Sequence, residues 1–155
     1  MKAKHILSMV LLVTASSFIF SFVVPAAGGE GFQIYIDNKL VLQQFNTEMK
    51  ELKNIQLTGA HSKSEMMVKY YHCGMAGKSR VLELKNSDQN TVRRWQFDNG
   101  EGKNFAVKVL VKEILDSQEK LGNGTIYLYY SSKEAPQGRL LAGIVHANKN
   151  SVTSK

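Results

Sequence analysis

The sequence predicts an all-β fold: a single-domain antiparallel β-sandwich, jelly-roll or immunoglobulin-like, with about seven to nine strands. Three observations carry this. Apolar and polar residues alternate with a period of two in segment after segment, a pattern that only a strand lines up on one face. Clusters of Gly, Asn, Asp and Ser separate these segments at roughly ten-residue intervals. No strand–helix–strand rhythm is present, which excludes a doubly wound parallel sheet. The 155 residues are 43% hydrophobic and 21% charged, unlike a disordered or collagen-like chain. That length supports one domain with a working core. The single Cys excludes an intramolecular disulfide framework.

The first 27 residues stand apart. Lys2 and Lys4 form a short basic segment, Ile6 to Val24 carries no charge, and Pro25 breaks any helix. Ala26, Ala27 and Gly28 then supply the small residues that signal peptidase requires. We read 1–27 as a signal peptide cleaved near Ala26–Gly28, and 28–155 as the mature β-sandwich with its core over about 31–147. The expected location is the periplasm or the extracellular space. Membrane attachment would come only through an uncleaved signal segment, because the apolar run approaches the ~20 residues of a membrane span. Cleavage removes two Lys and no acid, so the formal charge falls from +7 to +5. Such a moderate balance on an exported chain argues against nucleic acid as a partner.

Taken in order, Phe32 to Ile36 alternates, Asp37-Asn38-Lys39 turns, and Leu40 to Phe45 resumes, giving a hairpin. Leu52, Ile55 and Leu57 precede a polar loop over Thr58 to Glu65. Met66 to Cys73 reads as a strand ended by Gly74. Arg80 to Lys85 and Thr91 to Phe97 are strands joined through the turn Asn86 to Asn90. After Asp98 to Gly102, Phe105, Val107, Val109 and Val111 recur at period two. Ile114, Leu115 and Gln118 fall at helical spacing before Gly122, so a short helical turn is expected near 112–121. Gly124 to Tyr130 and Arg139 to Ala147 are the last strands, and Asn148 to Lys155 is a polar end. The alternation nominates an inward set: Ile34, Ile36, Leu42, Leu57, Val68, Leu82, Leu84, Trp95, Phe97, Phe105, Val107, Val109, Ile126, Leu128, Leu140 and Ile144. Burying each contributes ~1.5–3 kcal/mol before entropy is subtracted.

Aromatic residues supply the best binding argument. If Ile126 and Leu128 point inward, Tyr127 and Tyr129 form an outward stripe, and in the pair Tyr70-Tyr71 one ring also faces out. Tyr127, Tyr129 and Tyr71 are therefore the candidate ligand-binding residues, for a glycan or a protein. The second candidate is a soft-metal or redox site at Cys73 with His72 and Met75, since thiolate, imidazole and thioether suit Cu(I). Strand neighbours point to opposite faces, which counts against His72 and Cys73 acting together. The simplest reading of Cys73 is a buried small hydrophobe.

Asp98 to Asn104 lacks the acidic ligands of a calcium loop and reads as turn chemistry. Asn123-Gly124-Thr125 has the form of a glycosylation sequon. No Gly-x-Ser-x-Gly, His-Glu-x-x-His or phosphate-binding Gly loop occurs. The expectation is an exported, non-catalytic binding or envelope-associated module without a cofactor. The metal or redox protein is the first alternative, and a small enzyme or enzyme inhibitor the second. The combination resembles small exported β-sandwich proteins of Gram-negative bacteria as a class, with no motif tying it to a family.

Overall fold

The computed structural model describes residues 29–100 and 105–147. The signal-peptide assignment, most of the calcium-like loop and the polar end 148–155 lie outside these residues. Among the described residues nine strands form two sheets: β1 (Gly31–Ile36), β2 (Lys39–Phe45), β3 (Asn54–Leu57), β4 (Glu65–Tyr71), β5 (Arg80–Lys85), β6 (Thr91–Phe97), β7 (Val107–Leu110), β8 (Ile126–Ser131) and β9 (Arg139–His146). The first sheet runs β2-β1-β4-β7 and the second β3-β9-β8-β5-β6. The all-β sandwich expected from the alternation is thus the architecture found. Among the described residues no helix is long and apolar enough to cross a membrane.

The sheets meet through their inward sets. Phe32, Ile34, Met66, Val68, Tyr70, Val107 and Val109 come from the first; Leu57, Leu82, Leu84, Ile126, Leu128, Tyr130 and Ile144 come from the second. Tyr70 and Tyr130 stack across the sandwich, ring centroids 4.3 Å apart and 8° from parallel. The first hairpin turns at Asp37 and Asn38, both at positive φ (47° and 65°), the geometry that Asp and Asn tolerate best among residues with side chains. The Asp37 carboxylate then accepts from Ser64 Oγ (2.6 Å) and the Glu65 N–H (3.0 Å), fixing the turn to the start of β4.

Several expectations change in detail. Among the described residues all strand pairings are antiparallel except β3 with β9, which is parallel. The helical turn near 112–121 is a full α-helix, α1 (Val111–Lys120), which buries Val111 and Ile114 against the core. Gln118, fully buried, donates from Nε2 to the Ile144 carbonyl at 3.0 Å, so the helix is also tied to β9. A register shift between Leu128 and Tyr129 advances β9 by one residue, so Leu141 rather than Leu140 enters the core. Leu42, Trp95 and Phe97 pack on the core from its rim because β2 and β6 are edge strands. Phe105 lies ahead of β7, so its place is not governed by that strand's alternation, and its ring stands perpendicular to that of Tyr71 with centroids 5.1 Å apart rather than in the core.

Arginines on the strands find acceptors: the buried Arg80 of β5 donates to the carbonyls of Asp98 and Phe105, and others pair with acids. Arg93 pairs with Glu113 of α1, whose second oxygen accepts from Trp95 Nε1 at 2.9 Å. Arg94, one residue on and therefore on the other face, pairs with Glu83 at 3.0 Å. The first pair joins the edge strand β6 to the helix.

Candidate binding faces

On the first sheet, residues that alternate with the core set form an outward face. Its first row is Phe45–Gly31–Tyr71, in register across β2, β1 and β4. Gly31 has no side chain, and the Phe45 ring occupies the space a Cβ would need. Phe45 and Tyr71 therefore approach to 6.0 Å between ring centroids, and Phe105 closes on Tyr71 from its far side. The next row is Gln43–Gln33–Lys69. Gln33 Oε1 accepts from the Tyr71 hydroxyl (2.8 Å) and the Tyr35 hydroxyl (3.0 Å), while its Nε2 donates to Gln43 Oε1 (3.3 Å). Lys69 Nζ lies 5.3 Å from the centre of the Tyr35 ring.

These contacts hold the face rigid. The Gln33 amide is fixed by three partners and in turn fixes both Tyr rings. Burial, followed by the neighbouring Tyr35, raises the Tyr71 pKa, so its hydroxyl stays a neutral donor. The result is a platform of half-buried rings beside amides and one ammonium group. Such a surface can stack on the apolar faces of sugar rings and hydrogen-bond to their hydroxyls.

Tyr127 and Tyr129 stand on the outer face of the second sheet, opposite the inward Ile126, Leu128 and Tyr130, as the alternation implied. The structure does not bring them to Tyr71, which lies on the other side of the sandwich. Tyr129 donates to Gln89 Oε1 at 2.8 Å, and Lys85 Nζ sits 4.8 Å from its ring centre. Its hydroxyl is thereby engaged by the β5–β6 turn.

Around Cys73, His72 is set apart from the other two candidates. β4 stops at Tyr71, and His72 and Met75 exchange backbone hydrogen bonds of 2.9 and 3.0 Å. Between them Cys73 (φ 51°) and Gly74 (φ 86°) form the tip of a tight hairpin turn. Cys73 is exposed, which corrects its reading as a buried hydrophobe; positive φ at both tip residues takes it off the strand. Met75 is 65% exposed whereas His72 is 8% exposed and faces inward. Among the described residues no three His, Cys, Asp or Glu side chains group as a metal site.

His72 belongs instead to a polar cluster at the end of the sandwich. Its Nε2 lies 3.0 Å from Ser132 Oγ and 3.4 Å from the Tyr130 hydroxyl. Burial lowers the His72 pKa and raises that of Tyr130 to about 12. Nearby, Glu30 accepts from the Tyr70 hydroxyl (2.5 Å) and from Arg139 Nε (3.0 Å). Burial alone would raise the Glu30 pKa, but these hydrogen bonds hold it below the usual carboxylate value. Ser132 Oγ also accepts the Ala135 N–H at 3.2 Å, which closes the loop after β8, and the Ser–His contact ties that loop to the end of β4.

Sequence reading found Tyr71 and missed its partners. Gln33 and Tyr35 were legible, since they alternate with Phe32, Ile34 and Ile36 and so share one outward face. Phe45 and Phe105 join through strand register and a loop, which periodicity does not encode. Comparison with protein-family models and with curated proteins finds no match for this chain.

Proposed function

We propose that the chain is an exported, non-catalytic binding module that holds a glycan on the outer face of its first sheet. The observation that carries this reading is the Gln33 amide, fixed by Tyr35, Tyr71 and Gln43 between the Tyr35 ring and the Phe45, Tyr71 and Phe105 group. A pre-arranged face loses little side-chain freedom on binding, which favours affinity for a flat, hydroxyl-rich ligand. Tyr71 supplies the stacking surface, with Phe45 and Phe105 supporting it. Gln33, Gln43 and Lys69 supply polar contacts. Export rests on the basic, apolar and small-residue order of 1–27, and predicts a mature N-terminus near Gly28.

Affinity electrophoresis through gels containing soluble polysaccharides of differing linkage tests the reading. At least one polysaccharide should retard the protein, and Tyr71→Ala should weaken that retardation about tenfold while Tyr127→Ala leaves it unchanged. Retardation by none, or equal retardation of the Tyr71 variant, overturns the reading.

A further inference from the structure

We infer that the cleft between the sheet edges formed by β2 and β3 takes an extended, acidic peptide as an added strand. This site is independent of the aromatic face. β2 ends the first sheet and β3 ends the second, and both line one cleft of about 520 Å³. That volume lies within the range of ordinary ligand sites.

Both the backbone and the side chains suit a strand. The Gly143 and Ala147 N–H groups donate to the carbonyls of Lys53 and Leu57. Backbone groups of alternate residues point to the same side, so residues 53, 55 and 57 face β9. Asn54 and Gln56 therefore turn their N–H and C=O groups to the outer edge, where an incoming strand would pair. Ile36 and Ile55 form a narrow apolar floor, 9% and 6% exposed, and Val41 forms a wall at 42% exposure. A strand points every second side chain one way, so alternate apolar residues of the peptide would lie on this floor.

The rim sets the charge. Lys39 has no acidic partner among the described residues, whereas the rim acid Asp37 is already occupied by Ser64 and the Glu65 N–H. His61 Nδ1 accepts the Thr58 N–H at 3.1 Å, which leaves the ring proton on Nε2 as a donor. The open functions at the rim are thus one ammonium and one N–H donor. They complement a carboxylate on the solvent side of the added strand.

Amide hydrogen exchange and nitrogen-15 spectra of the chain as its host processes it, with synthetic peptides added, test this. The probe is a capped octapeptide alternating valine with glutamate and threonine; its counterpart carries lysine for glutamate. The acidic peptide should slow exchange at Asn54 and Gln56 about tenfold, and the lysine peptide should bind about fivefold more weakly. Gln56→Pro removes one edge N–H and should abolish binding. Lys39→Glu, a surface change that leaves the edge intact, should reverse the preference between the peptides. No shift at the cleft with either peptide, or equal binding of both, overturns the inference. So does protection already present in the free protein that disappears on dilution, which assigns the cleft to a second copy. Protection that disappears with Val152→Asp assigns it to the chain's own C-terminal segment and overturns it equally.

Discussion

Gly31→Ala tests the packing that builds the aromatic face. A Cβ at Gly31 would overlap the edge of the Phe45 ring, with even Cγ only 2.9 Å away. The obstruction is a side chain, so the ring can swing aside rather than the strand. Forcing it off its rotamer costs about 0.5–1.5 kcal/mol. Losing its contact with Tyr71 costs about 0.5–1.5 kcal/mol more. Replacing Gly by Ala returns about 0.4–1 kcal/mol by reducing the freedom of the unfolded chain. The net expectation is a destabilisation of about 1 kcal/mol, or a fall in Tm of about 2–8 °C. Urea unfolding followed by far-UV circular dichroism measures it, with an unchanged m-value showing that the surface exposed on unfolding is the same in both proteins. Gly59→Ala is the control: nothing lies within 4 Å of a Cβ there, so that variant should be neutral or slightly stabilised. A Gly31→Ala protein as stable as the parent, with the Phe45 and Tyr71 ring resonances unmoved, would refute the argument.

Three further outcomes follow from the same geometry. Burial holds the His72 pKa below its ordinary 6.5, so the unfolded state takes up the proton first. Stability should therefore fall as pH drops below about 6.5, by at most about 1.4 kcal/mol per unit, until the folded-state pKa is passed. A second loss should begin below the ordinary Glu value of 4.5 as the Glu30 carboxylate is protonated, and His72→Gln should remove only the first step in urea midpoints measured against pH. Glu113→Ala leaves Arg93 and Trp95 Nε1 without their shared acceptor and should cost about 1 kcal/mol, read by the same titration together with a shift in Trp fluorescence. The Cys73 thiol should react with Ellman's reagent in the native protein at the rate of an open thiol, and slow reaction that accelerates only in denaturant would contradict its place on the turn.

The β1–β2 hairpin was legible because Phe32, Ile34 and Ile36 alternate strictly and Asp37-Asn38 accept positive φ. Period two assigns a residue to a face but not to a sheet. Tyr71 and Tyr129 each read correctly as outward, and only the strand orders place them on opposite sides of the sandwich. The same limit hid the parallel pairing of β3 with β9, which depends on contacts far apart in sequence. Bulges defeat alternation locally, which is why Leu141 replaces Leu140 in the core. Cys73 was misread because a strand pattern was extended through it to Gly74, whereas the chain had already turned after Tyr71. Glu113 as the partner of Arg93 depends on where α1 packs, and no local pattern encodes that.

Mapping bound soluble oligosaccharides by amide and side-chain chemical-shift changes tests the central claim most directly. A panel of gluco-, xylo-, chito- and manno-oligosaccharides, added to the full-length chain as its host processes it, serves as the probe set. The account predicts that at least one sugar shifts the side-chain amides of Gln33 and Gln43 together with the Tyr35 and Tyr71 rings. Shifts centred on Tyr127 and Tyr129 instead, or none with any sugar, would contradict it.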